Sequence, residues 1–140
     1  MEDCIFCKIV KGEIPCYKVY ENEKLLAFMD IQPINPGHIL IIPKKHTELI
    51  SELEDELVEE IFKVAKKMSI ALRKSEIKCE GINFQLADGE SAGQEIPHVH
   101  VHVIPRYRND GFGLKFPPYY ENKPSRDELE EIAEKIRKSF

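Results

Sequence analysis

The sequence predicts an α+β fold, with an antiparallel sheet of about five strands and one long helix and a C-terminal helix on one face. Three observations point there. Short β-branched or apolar runs are punctuated by clusters of Pro, Gly and Asn. One long stretch carries apolar residues at helical period. A second, shorter helical stretch closes the chain, giving the order ββ, β, long α, ββ, α.

The elements follow in that order. Gly12 and Pro15 break the chain after a short segment from Cys4 to Lys11. Tyr17 to Tyr20 and Leu25 to Met29 read as strands, joined by a polar turn at Glu21-Asn22-Glu23-Lys24. Pro33, Asn35, Pro36 and Gly37 make Asp30 to Gly37 a loop, and His38 to Ile42 is a strand ended by Pro43. Ser51 and Glu54 have capping-box spacing, opening a helix whose Leu53, Leu57, Ile61, Ala65, Met68 and Leu72 form one apolar stripe. Gly81 introduces a strand from Ile82 to Leu86, and a polar loop runs from Ala87 to Glu95. His98 to Ile104 is the fifth strand. Tyr107 to Tyr120 is an ordered loop rich in Gly, Pro and aromatics. Ser125 and Glu128 form a second capping box, opening a helix through Leu129, Ile132, Ala133 and Ile136. With no repeat and no dividing linker, residues 1–140 read as a single domain, with a core at about 4–112 and a C-terminal loop and helix at 113–140.

Composition narrows the partners. The 140 residues are 42% hydrophobic and 32% charged, ordinary for a soluble globular domain. A net charge of −5 argues against a general nucleic-acid backbone partner. No apolar run approaches the ~20 residues that span a bilayer, so no membrane partner is expected. The first residues have no basic segment followed by an apolar one. The expected location is therefore cytoplasmic, with the four cysteines outside a disulfide framework.

The chemistry concentrates at His98-Val99-His100-Val101-His102. Alternate residues of a strand share a face at about 7 Å per two-residue step. The valines would then enter the core while three imidazoles line the other face. Three clustered imidazoles in a core would demand many hydrogen-bond partners, which favours a functional site. Imidazole is a nucleophile when neutral, and a neighbouring imidazole can hold a phosphate oxygen. The loop Asp88-Gly89-Glu90-Ser91-Ala92-Gly93-Gln94 could add backbone N–H groups. A His-x-His metal site with an open position is the competing reading; it predicts loss of turnover with chelator.

With Ala92-Gly93-Gln94 and His98 through Arg106 in view, the sequence resembles the histidine triad (HIT) family. The segments Cys4-Ile5-Phe6-Cys7-Lys8-Ile9, Gly12-Glu13-Ile14-Pro15 and Pro36-Gly37-His38 through Lys44 match as well. The resemblance is to the zinc-containing nucleoside phosphoramidase branch, and it covers residues 4 to about 112. It implies a HIT-like fold, commonly as a homodimer whose sheets join, and cleavage at the α-phosphorus of purine nucleotide conjugates. His100 would be the nucleophile, forming a nucleotidyl-histidine intermediate. His102 and His38 would surround the phosphate, a carbonyl near His98 would fix the tautomer of His100, and Gln94 with Gly93 would lie near the scissile bond. Asp30 would bind the ribose hydroxyls, and Phe6, Ile9, Phe28 and Ile31 would form the base pocket. Zinc, in a structural role, is implied at Cys4, Cys7, His46 and His98; no organic cofactor is implied.

Two positions depart from the family pattern. Ala87 stands where many members carry Asn or Gln, removing one polar contact. Glu95 stands where others carry Ser or Thr, and an ionised carboxylate cannot donate a hydrogen bond to a leaving group. The resemblance also accommodates a dinucleoside polyphosphate hydrolase with the same nucleophile, or a nucleotide-binding adaptor with little catalysis.

Overall fold

The computed structural model describes residues 3–140. They form two compact units, 3–110 and 111–140. The first unit is built on a five-stranded, wholly antiparallel sheet. In chain order its elements are α1 (Ile5–Val10), β1 (Lys18–Glu21), β2 (Leu25–Met29), β3 (Ile39–Pro43), α2 (Asp55–Lys74), β4 (Gly81–Gln85) and β5 (Val101–Arg106), and the sheet order is β1-β2-β3-β5-β4.

Both faces of the central strands are covered, which explains why β2 and β3 read as unbroken apolar runs. On one face Leu25, Ala27, Ile39, Ile41, Val101 and Val103 pack with Leu57, Ile61, Val64, Met68 and Leu72 of α2. On the other, Leu26, Phe28, Leu40 and Ile42 pack with Cys4, Phe6 and Cys7 of the α1 segment. The side-chain period of two therefore sends the β5 valines into the α2 core and leaves His102 on the α1 face.

Three elements differ from the sequence reading. The segment from Cys4 to Lys11, to which no element was assigned, contains α1, capped by the Cys4 sulfur accepting from the Cys7 N–H at 3.4 Å. The expected capping box at Ser51 and Glu54 does not form. Residues Ile50–Glu52 make a 3-10 turn instead, Glu52 accepts from the Leu49 N–H at 3.0 Å, Asp88 accepts from the Ile50 N–H at 2.8 Å, and α2 begins at Asp55. Leu53 thus precedes the helix yet is buried in the same core.

The third difference bears on the site. The strand expected from His98 begins only at Val101. β3 pairs with β5 through Ile39–Val103, Leu40–His102 and Ile41–Val101. Continuing that register would oppose Pro43 to Val99, and Pro43 has no N–H to extend the ladder. The Val99 N–H goes to the Thr47 carbonyl at 2.7 Å, and the Pro43 carbonyl accepts from the His98 ring at 2.8 Å. His98 is consequently turned away from the row that His100 and His102 form.

In the second unit, α3 (Arg126–Arg137) is capped as expected, with Ser125 Oγ accepting from the Glu128 N–H at 3.2 Å. Its stripe of Leu129, Ile132 and Ile136 is exposed. Among the described residues no helix is long and apolar enough to cross a membrane.

Candidate active site and metal centre

A cavity of about 540 Å³ opens on the α1 face of the sheet. Phe6 and Ile9 of α1, with Phe28 of β2, supply an apolar wall, and Asp30 and Ile31 follow at the end of β2. His38, His100 and His102 also line it, with Gly93 and Glu95 from the loop before β5. Phe6 meets Phe28 edge-on, with centroids 5.8 Å apart, and meets His100 the same way at 5.1 Å. Ile31 is 84% exposed, so it contributes a rim rather than a floor.

The backbone sets the proton positions of the histidines. His100 Nδ1 lies 2.7 Å from the His98 carbonyl, which can only accept. The proton of neutral His100 therefore sits on Nδ1, and the Nε2 lone pair is left free. His38 Nδ1 accepts the Ile34 N–H at 3.0 Å, so its proton sits on Nε2, 2.9 Å from His102 Nδ1. His102 Nδ1 must then accept, which places the His102 proton on Nε2. Asp30 Oδ2 stands 3.5 Å from His38 Nε2.

Burial favours the neutral form of these rings. Desolvation pushes His38 and His100 below the usual histidine value, against the opposing pull of Asp30. For His100 the His98 carbonyl and Glu95 also oppose that push. His102 is lowered to about 4, first by burial and then by His100 and His38 beside it.

Behind the cavity, fully buried, His98 belongs to a different cluster. Its Nδ1 is 3.3 Å from the Cys4 sulfur and 3.6 Å from the Cys7 sulfur, while His46 Nδ1 is 3.3 Å from the Cys7 sulfur. The four donor atoms lie within 4.8 Å of one another. The His98 Nε2–H is already held by the Pro43 carbonyl, which leaves Nδ1 as a lone-pair donor toward the thiols. This outer hydrogen bond is what a ligating histidine needs. Burial, then Cys4, push the Cys7 thiol up, a cost that a divalent cation among the four donors would offset. Two sulfurs and two imidazoles suit tetrahedral zinc, with no position left for substrate.

Asp30, His38 and His102 also lie within ligand distance of one another. They fit a metal poorly. Coordination through His38 Nε2 would force its proton onto Nδ1, against the Ile34 N–H. Among the described residues neither candidate ligand set joins two histidines of the 98–102 run, so the open His-x-His metal site finds no support in this geometry.

Of the residues expected at the site, Gln94 is buried with its side-chain amide engaged within the protein. It does not line the cavity. Its Oε1 accepts from the Gly89 N–H at 2.7 Å and its Nε2 donates to the Glu48 carbonyl at 2.8 Å, so the amide braces the loop from within. His98 contributes its carbonyl, not its ring, to the cavity wall chemistry. Ala87 is buried and does not line the cavity.

Two contributors escaped the sequence reading. Gln85 pairs with His102 across β4 and β5 and lines the cavity, which only the strand register reveals. Asn35 is buried and donates to the Pro105 carbonyl at 2.9 Å and to Asp110 Oδ2 at 2.8 Å. Asp110 in turn is bridged by Arg106. This clamp ties the loop bearing Asp30 and His38 to the end of β5; the Asn in a Pro-Gly-rich loop was a turn signal only.

Comparison with known proteins agrees with this geometry. The HIT domain family model matches residues 11–109. The adenosine 5′-monophosphoramidase of Schizosaccharomyces pombe is 41% identical over 136 residues, 96% of this chain and 98% of the relative. The crystal structure of a HIT family member from Bacillus subtilis superposes with a TM-score of 0.89 at 42% identity, covering 99% of this chain and 97% of the other. A zinc-bound histidine triad family protein from Mycobacterium smegmatis matches with a TM-score of 0.76 at 36% identity, covering 86% and 87%.

Proposed function

The chain belongs to the HIT domain family, and from that premise we propose that it is a nucleotide hydrolase that cleaves purine nucleoside 5′-phosphoramidates through a covalent intermediate on His100. One observation carries the reading: the 2.7 Å hydrogen bond from His100 Nδ1 to the His98 carbonyl, which leaves Nε2 as the nucleophilic atom on the cavity wall.

In this reading the base lies against Phe6, Ile9 and Phe28, with Ile31 at the rim, and Asp30 accepts from the ribose hydroxyls. His100 Nε2 gives its lone pair to the α-phosphorus. The phosphorus–nitrogen bond to the leaving amine breaks, its pair stays on that nitrogen, and the amine takes a proton from solvent. The His98 carbonyl stabilises the positive charge that forms on His100. His102, with its proton on Nε2, donates to a phosphoryl oxygen; His38 holds it in that tautomer. Water then attacks the phosphorus, returns the pair to Nε2, and releases a proton and the nucleoside monophosphate. Gly93 brings the loop backbone close to the phosphate.

Cys4, Cys7, His46 and His98 would hold a structural zinc. The metal would tie α1 to the residue whose carbonyl orients His100, and it would take no part in the displacement. We assign the whole chain to one catalytic domain acting in the cytoplasm as a homodimer. β4 at the sheet edge, with Phe84 49% exposed, offers a surface for joining sheets.

The test is turnover of adenosine 5′-phosphoramidate by wild type and by His100→Ala, with folding checked by circular dichroism. Release of AMP by wild type alone supports the reading. Equal release by the variant excludes His100 as nucleophile.

A further inference from the structure

The cavity has the wrong charge for a polyanion. Among the described residues no Lys or Arg lines it, while Asp30 and Glu95 do. His38 and His102 each use Nδ1 as an acceptor in this hydrogen-bond arrangement, so neither brings a compensating charge to the wall. A nucleoside phosphoramidate monoester brings one negative charge to such a wall, whereas a polyphosphate leaving group brings several more against two carboxylates.

The two carboxylates differ in what they face. Asp30 Oδ1 accepts from the Gln32 N–H at 2.8 Å, and its Oδ2 stands 3.5 Å from His38 Nε2. Glu95 is exposed, and no hydrogen bond or ion pair engages its side chain among the described residues. It is nevertheless well placed, because the preceding Gln94 is pinned at both ends of its amide, to Gly89 and to Glu48. A fixed loop thus carries an uncompensated carboxylate onto the wall beside the nucleophile. In an in-line displacement the leaving group departs on the side of the phosphorus opposite the attacking Nε2, within the cavity that Glu95 also lines.

We propose that Glu95 is a specificity-determining residue that selects nucleoside 5′-phosphoramidates whose leaving amine carries a second, cationic group. The inference rests on the phosphoramidase reading and adds the class of leaving group to it. Glu95 takes no part in the bond changes, which remain those at His100. It pairs with the positive group of the departing amine, and it repels an anionic one. At the cavity mouth, one carboxylate–ammonium contact in partly aqueous surroundings amounts to about a tenfold preference.

The experiment compares kcat/KM for three adenosine 5′-phosphoramidates of similar length, made from a diaminobutane, from butylamine and from an aminobutyrate. Wild type should prefer the cationic substrate to the neutral one by about tenfold, and the neutral to the anionic in the same sense, with both ratios shrinking in high salt. In Glu95→Gln the cationic-to-neutral ratio should fall to about one, and in Glu95→Lys the order should invert. Glu95→Asp should retain part of the preference. Equal rates on all three substrates in wild type would overturn the proposal and leave the phosphoramidase reading standing. So would an unchanged preference in Glu95→Gln. Hydrolysis of none of the three would overturn both.

Discussion

Acid should weaken this protein through His102, and the size of the effect follows from the structure. In the unfolded chain His102 takes up its proton near 6.5, and in the folded protein only near 4. Between those values the unfolded state binds more protons, so stability is full above about 6.5 and falls as the pH drops toward about 4. At roughly 1.4 kcal/mol per pKa unit the whole window is worth about 3 kcal/mol, of which about 2.5 kcal/mol has been lost by about pH 4.5. The perturbation is His102→Asn, which removes the titration while keeping a polar side chain against His38. Urea unfolding of both proteins from about pH 7.5 to about pH 4.5 measures it. Metal loss and carboxylate protonation occur in both and cancel in the difference. Wild type should lose about 2.5 kcal/mol more than the variant. Parallel curves would refute the claim that burial and the neighbouring rings hold His102 neutral.

Three further outcomes follow from the packing. Gly37 has φ +98°, and a Cβ there would come 2.9 Å from Ile77 Cγ2 and 3.2 Å from Leu72 and Pro105 side-chain atoms. Gly37→Ala should therefore cost about 2–4 kcal/mol in chemical denaturation and lower kcat through the adjacent His38. Asn35→Ala leaves the Pro105 carbonyl and Asp110 short of a buried donor; a loss of about 1–3 kcal/mol, with a fall in kcat larger than any rise in KM, should appear in parallel unfolding and kinetic measurements. Cys4→Ser should abolish stoichiometric zinc in elemental analysis and lower Tm, while the residual folded protein still turns over in chelator; native stability without metal would contradict the structural role.

Much of the site was legible because its chemistry is local in sequence. The alternation from His98 to His102 separated valines from imidazoles, and the structure places His100 and His102 on the cavity wall with the valines in the α2 core. The apolar wall of Phe6, Ile9 and Phe28, and Asp30 beside it, came through resemblance. What stayed hidden depends on non-local pairing. Pro43 ends the β3 ladder, so the His98 ring turns to Cys4 and Cys7 instead of joining the row. Gln94 is consumed by Gly89 and Glu48, two groups whose proximity only the fold creates. The same holds for α2, whose start is set by the contact of Ile50 with Asp88 rather than by the Ser51 and Glu54 spacing. Two readings conflicted in a physically useful way: strand period alone made the three histidines equivalent, while the fold places the His98 ring beside Cys4 and Cys7 and its carbonyl against His100.

The proposed mechanism requires His100 Nε2 to become covalently nucleotidylated. Wild type mixed with adenosine 5′-phosphoramidate and quenched rapidly in alkali, where a phosphorus–nitrogen bond to histidine survives, should show by intact mass a single added adenylyl group, mapped by peptide sequencing to His100 and absent from His100→Ala. Steady AMP release with no adduct at any quench time, or an adduct on another residue, would contradict it.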